Sequence, residues 1–187
     1  MPPKIARPSS TPMIFAGVSV LVFSAAWAGF GFASGWLVNQ VPLRWLDHDG
    51  RLTRLRAFEE RGRWYDRNLR VRWWKDRVPE AGGWFRGGVA KDRIRSFRTE
   101  DLERLTAETR RAEWVHWANV GFGFTFAAWT EPLVAAVMVV FGVVTHLPFV
   151  IIQRYNRARL LYVLTTASRR AQSDPAQPDP AQPAVGS

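Results

Sequence analysis

Apolar and charged positions are sorted into blocks along this chain. Residues 13–38 carry no charge and run through Ile14, Phe15, Val18, Leu21, Phe23, Trp27, Phe30, Phe32, Trp36 and Leu37. As a helix this block would extend about 39 Å, more than the roughly 30 Å hydrocarbon core of a bilayer, so it predicts a transmembrane span. Small residues (Gly17, Ser24, Ala25, Ala28, Gly31, Gly35) would let a second helix approach closely. A cleaved signal peptide ending near Ala26-Trp27-Ala28 is the competing reading, and the apolar run beyond Ala28 argues against it. A second apolar block, Trp114–Ile152, is broken by Thr130-Glu131-Pro132, where proline stops the preceding helix. It predicts a hairpin of two spans, about 114–130 and 133–152, with a re-entrant hairpin as the alternative. Either version puts residues 44–113 and the tail after Gln153 on one side.

Between the blocks, Leu52, Leu55 and Phe58 recur at helical spacing, followed by Trp64, Tyr65, Leu69 and Val71 and interleaved with arginines. Aromatics on one face and arginine on the other predict an amphipathic helix in the headgroup layer, interrupted at Gly62. Another helix is expected from Thr99, with Glu100, Asp101 and Glu103 in the first turn, where the helix dipole favours them. It is expected to continue into Trp114. An aromatic-tipped loop, Pro79–Gly88, lies between. Residues 171–187 repeat Asp-Pro-Ala-Gln-Pro and read as a disordered tail. The fold class is therefore all-α integral membrane. Three transmembrane helices, the last two a hairpin, are joined by amphipathic interfacial helices. A short tail (1–12) precedes a single membrane domain (13–170).

Charge adds orientation. Of 26 Lys and Arg, nineteen fall in 44–116, five after Gln153 and two before Met13. The positive-inside rule then places 44–113 and the C-terminus in the cytoplasm and the N-terminus outside. The net charge of +10 favours anionic partners. Because the basic residues flank bilayer spans, membrane lipid is expected rather than nucleic acid. The chain has no Cys, which excludes disulfides, thiolate zinc sites and cysteine nucleophiles. The glycines at 82–88 fit neither dinucleotide nor P-loop spacing, and Asp47-His48-Asp49 reads as a solvated turn. No metal or cofactor is called for.

The densest chemistry is Glu108-Thr-Arg-Arg-Ala-Glu113-Trp-Val-His116-Trp-Ala-Asn119. On a helix Glu113 and His116 are three apart, and Asn119 follows on the same side. A carboxylate beside an imidazole orients the ring and stabilises its protonated form. Such a pair can take a proton from a sugar hydroxyl attacking an acyl carbonyl and return it to the leaving group. The plainer reading is an interfacial histidine between two tryptophans, with Glu113 paired to Arg110. His146 lies within the last span, either functional or satisfied beside the Pro148 kink. Arg154-Tyr-Asn156-Arg157-Ala-Arg159 can grip an anion or anchor the helix end in anionic lipid.

Three blocks carry a family likeness: Trp74-Lys75-Asp76-Arg77-Val78-Pro79 with Trp84-Phe85 and Lys91; Glu108 to Trp117; and Pro148 to Leu160. Together they span about residues 45–160. The chain resembles the glycosyl-diaponeurosporenoate acyltransferases, small bacterial membrane proteins of staphyloxanthin-type carotenoid synthesis. It departs from them at Val78, in place of Leu, and at Ala158, in place of Pro. The resemblance implies transfer of a fatty acyl group to a sugar hydroxyl of a glycosylated lipid or carotenoid. Key positions would be Lys75, Asp76, Glu108, Glu113, His116, Arg154, Asn156 and Arg157. The expected site has His116 as general base, oriented by Glu113 or Glu108. Lys75, Asp76, Asn119, Arg154, Asn156 and Arg157 would hold substrate. Its partners are membrane lipids, a glycolipid acceptor and an acyl donor. The rival class is a non-catalytic membrane subunit or scaffold of a larger envelope complex.

Overall fold

A computed structural model describes residues 11–46, 48–78 and 99–173, and all its regular elements are helical. They are α1 (Thr11–Gln40), α2 (Arg63–Leu69), α3 (Val71–Trp74), α4 (Thr99–Thr125) and α5 (Pro132–Ser173), with short 3-10 turns between them. The Pro79–Gly88 loop, Lys91 and residues 174–187 lie outside the described residues.

Helix α5 starts at the expected proline, whose missing N–H costs nothing in a first turn. Helix α4 runs unbroken from Thr99 past Trp114, as its pattern predicts. The two pack antiparallel along the length of the hairpin. Gly123 makes the approach possible: a Cβ there would lie 3.1 Å from the Met138 carbonyl oxygen. Helix α1 joins as a third rod. Phe23 meets Phe126 and Trp129 near the hairpin turn, while Asn39 meets Arg111 at the other end. It therefore runs antiparallel to α4. Trp27 sits over Gly142, where a Cβ would fall 2.8 Å from the indole. Its ring also packs on Phe122, Phe126 and Phe141. Helices α1 and α5 are long and apolar enough to cross a membrane. Their outward faces carry bare apolar groups, among them Leu21 at 71% and Leu133 at 77% exposure.

Two expectations change. The amphipathic interfacial helix from Leu52 is instead a turn, a 3-10 segment at Ala57–Gly62 and the short helices α2 and α3. Left-handed residues break it: Arg61 at φ 58, Gly62 at φ 88 and Arg70 at φ 49. Gly62 serves two ends, since its positive φ is cheap and its bare Cα faces the Tyr155 ring. The segment is not one continuous helix. It folds against α5 and buries Thr53, Glu59, Tyr65 and Val71, with Tyr65, Val71 and Tyr155 forming one cluster. The second change is at the C-terminus. Helix α5 does not end near Ile152 but continues through the arginines to Ser173, past the expected boundary at 170. Nothing between 153 and 173 breaks a helix, and the first proline comes at 175.

Candidate active site

Where the long helices leave the apolar bundle, four charged side chains meet. Glu113, on α4, is buried; Arg154 donates to its Oε1 at 2.8 Å, and an Arg157 nitrogen lies 2.6 Å from its Oε2. The Trp117 indole N–H donates to the same Oε1 at 3.2 Å. Glu59, also buried, accepts two bonds from Arg154, at 2.9 Å each. It also accepts from the Tyr65 hydroxyl and the Arg56 backbone N–H. Burial, and then the Glu59 carboxylate, push the Tyr65 phenol well above its usual range, so it remains a donor. Two carboxylates against two guanidiniums keep the cluster near neutrality, the condition under which buried charge is tolerated.

Arg154 is saturated. Its remaining N–H groups go to the carbonyls of Leu52 and Arg54, so all five donors of the guanidinium are used within the chain. Arg157 is less so: it reaches the Thr53 carbonyl, but its Nε and Nη1 are buried without a hydrogen-bond partner among the described residues. The Arg154–Arg157 pair, expected to grip a substrate anion, fastens residues 52–59 to α4 and α5 among the described residues. Neighbouring bonds continue the belt. Arg110 donates to Asp49 at 2.8 Å and to the Leu46 carbonyl, and Arg111 to Asn39, Glu108 and the Val41 carbonyl.

The two candidate orienting acids are turned to arginines. Glu113 is turned to Arg154 and Arg157, and Glu108 to Arg111 at 3.1 Å. Burial raises the Glu108 pKa, against the pull of Arg111 and Arg104. Neither acid hydrogen bonds to His116 among the described residues. Three-residue spacing permits contact, but the guanidiniums of α5 outcompete a neutral ring for the carboxylate. His116 instead faces His146, Nδ1 to Nδ1 at 3.2 Å. Its ring stacks on Phe149 with centroids 4.6 Å apart, and His146 stacks on Trp27 at 5.9 Å. Asn119 turns to α1. It donates to Ser34 Oγ at 2.9 Å and to the Val115 carbonyl, and is buried between helices rather than aligned with His116. Lys75 pairs with Asp76 at 2.5 Å, next to Trp74 on the Tyr155 cluster. Asn156 is half-buried on α5.

The chain gave no local sign of Glu59, Thr53 or Tyr65 as members of this belt. Glu59 and Arg154 are 95 residues apart, and the helical reading had placed that stretch in lipid headgroups. His146 was visible as a polar residue inside an apolar run, though not as the partner of His116.

The sequence profile of the glycosyl-4,4'-diaponeurosporenoate acyltransferases matches residues 42–166. The enzyme of that name from Staphylococcus aureus strain N315 is 27% identical over 115 residues, covering 62% of this chain and 69% of its own. Its counterpart in strain Newman is 26% identical over the same extent. No solved structure matches. The matched stretch contains Glu113, His116, His146, Arg154 and Arg157, and the chain thus belongs to the glycosyl-4,4'-diaponeurosporenoate acyltransferase family and is an acyltransferase.

Proposed function

We propose that this protein transfers a fatty acyl group to a sugar hydroxyl of a glycosylated carotenoid or related glycolipid, with His116 as general base. The observation carrying this reading is the position of His116. It is half-buried one turn from the Glu113–Arg154 belt, toward the apolar bundle, which in this reading is the level where a bilayer changes from headgroup to hydrocarbon. An acyl carbonyl and a lipid-linked sugar meet at that depth. The register of the hairpin supports three crossings. Gly123 lies against Met138 and Val139, His116 against His146, and Glu113 against Arg154, so the α4 arm covers the same depth as α5. A crossing by α5 takes that arm with it. The cytoplasmic side receives the basic belt.

In the reaction the sugar hydroxyl attacks the carbonyl of an acyl ester or thioester while His116 takes its proton. The tetrahedral oxyanion then collapses, the bond to the leaving group breaks, and the same proton passes to that group. Lys75, Asp76 and Asn156 are assigned to the sugar and donor head. Arg157, whose Nε and Nη1 have no hydrogen-bond partner among the described residues, is assigned to the carbonyl oxygen side. Glu113 acts through Arg154 and Arg157 by holding the belt in place. No metal or cofactor is invoked.

The test compares lipids from cells with the gene deleted and complemented by wild type or His116→Asn. Asparagine keeps a polar atom toward His146 and removes Nε2. Wild type restores an acylated glycolipid, and the variant, inserted at wild-type level, loses it by about 10²–10⁴-fold. Wild-type acylation by His116→Asn sinks the base assignment. An unchanged lipid profile on deletion sinks the activity.

A further inference from the structure

The two imidazoles that share a 3.2 Å contact come from different helices and are 30 residues apart in sequence. Each is fixed from outside by an aromatic face: Phe149 under His116 and Trp27 beside His146. A neutral imidazole has one donor and one acceptor nitrogen, so two facing Nδ1 atoms can share one proton. Either His116 donates or His146 does, and the choice decides which His116 nitrogen is bare.

We propose that His146 is a positioning residue for acyl transfer. Its Nδ1 accepts the Nδ1–H of His116 and leaves Nε2 of His116 as the atom that takes the substrate proton. This rests on His116 being the base. The opposite arrangement puts the His116 proton on Nε2 and leaves no base there. It also fails during turnover: a protonated His116 would carry an Nδ1–H aimed at the Nδ1–H of His146. In the assigned arrangement His116 gains its second proton at Nε2 and keeps donating Nδ1–H to the same acceptor throughout. His146 thus does with a neutral ring what a carboxylate does in a Ser-His-Asp triad, fixing tautomer and orientation. A neutral acceptor suits the site. A carboxylate there would lack a guanidinium partner among the described residues, since Arg154 and Arg157 of α5 are engaged by Glu59 and Glu113.

Two measurements test it. The first is ¹⁵N NMR of the full-length protein in lipid, which separates protonated from bare ring nitrogens. With three histidines in the chain, His48→Gln, His116→Asn and His146→Asn assign the spectrum. The expected wild-type signature is Nδ1–H and bare Nε2 at His116. The second uses the complemented cells, with acylated glycolipid normalised to inserted protein. His146→Phe keeps a ring against Trp27 but removes the acceptor, and acylation falls about 100-fold. His146→Asn returns an amide oxygen to the Nδ1 position and recovers at least about tenfold of that loss. A purely structural role predicts the reverse order, because phenylalanine preserves the packing. An Nε2–H tautomer at wild-type His116 overturns the proposal without any variant. So does normal acylation by His146→Phe, or an asparagine variant no better than it. Inactive His116→Asn with fully active His146→Phe removes only the positioning role, whereas active His116→Asn removes the base itself.

Discussion

At the scale of single residues, the decisive arrangement is the separation of two jobs that lie side by side in the sequence. Glu113 and His116 are three residues apart, yet one belongs to a charge clamp and the other to a pair of rings. Substitutions should separate them. Glu113→Gln leaves two guanidiniums facing a neutral amide in a buried site. We expect a loss of about 3–5 kcal/mol of stability, the cost of breaking a buried pair by removing one partner. Thermal unfolding in detergent checks this, and a midpoint equal to that of wild type would show that the clamp is not what holds residues 52–59 down. His116→Asn should lose acylation while unfolding close to the wild-type midpoint, so activity and stability divide between neighbours one helical turn apart. The residue types were legible in the sequence, because acids, arginines and a histidine at the edge of an apolar run announce a site. Their pairing was not. Local spacing gives Glu113 a choice between His116 and Arg110, and only the packing of α5 on α4 brings in Arg154 and Arg157, which take the carboxylate from both.

At the scale of elements, the long helices follow from the sequence and the short ones do not. Continuous apolar runs, a proline at position 132 and acids after Thr99 set α1, α4 and α5 in place. The stretch 52–74 shows helical periodicity but must wrap the middle of α5 around Arg154 and Tyr155, and left-handed backbone at Arg61, Gly62 and Arg70 cuts it into pieces. Periodicity does not register such tertiary demands, and two of these three positions are arginine, a residue that gives no turn signal. Close packing of the hairpin yields a graded prediction. A Cβ on Gly121 meets nothing within 4 Å, so Gly121→Ala should be neutral or stabilise the protein by up to about 1 kcal/mol. A Cβ on Gly123 meets the backbone of Met138 and Val139 at 3.1 and 3.2 Å, so Gly123→Ala must push the helices apart, at roughly 1–3 kcal/mol. Equal unfolding midpoints for the two variants would mean that α4 and α5 are not in the contact described.

For the whole molecule, the question is how a three-rod bundle with one charged end, two of its helices long and apolar enough to cross a membrane, would sit in a bilayer. The outer faces of α1 and α5 expose large apolar side chains, which suit a bilayer, and the belt of arginines collects at the end where α1 finishes and α5 passes Gln153. The hairpin turn at Thr130–Glu131 and the N-terminal half of α1 lie at the opposite end. If the bundle crosses fully, those two ends face different compartments; if the α4–α5 hairpin is re-entrant, its turn does not reach the far compartment. Because the chain has no cysteine, single introduced cysteines report on this without background. Exposed positions suit the purpose: Glu131 at the turn, Asn68 on α2 and Ser168 on the outer half of α5. With a membrane-impermeant thiol reagent on intact cells, Glu131→Cys should label, while Asn68→Cys and Ser168→Cys should label only after permeabilisation. Glu131→Cys that fails to label from outside, while Asn68→Cys and Ser168→Cys still label only after permeabilisation, would make the hairpin re-entrant. Inverted labelling would keep three crossings and reverse the orientation, moving the proposed acyl-transfer level to the outer face and requiring that the acyl donor be supplied there.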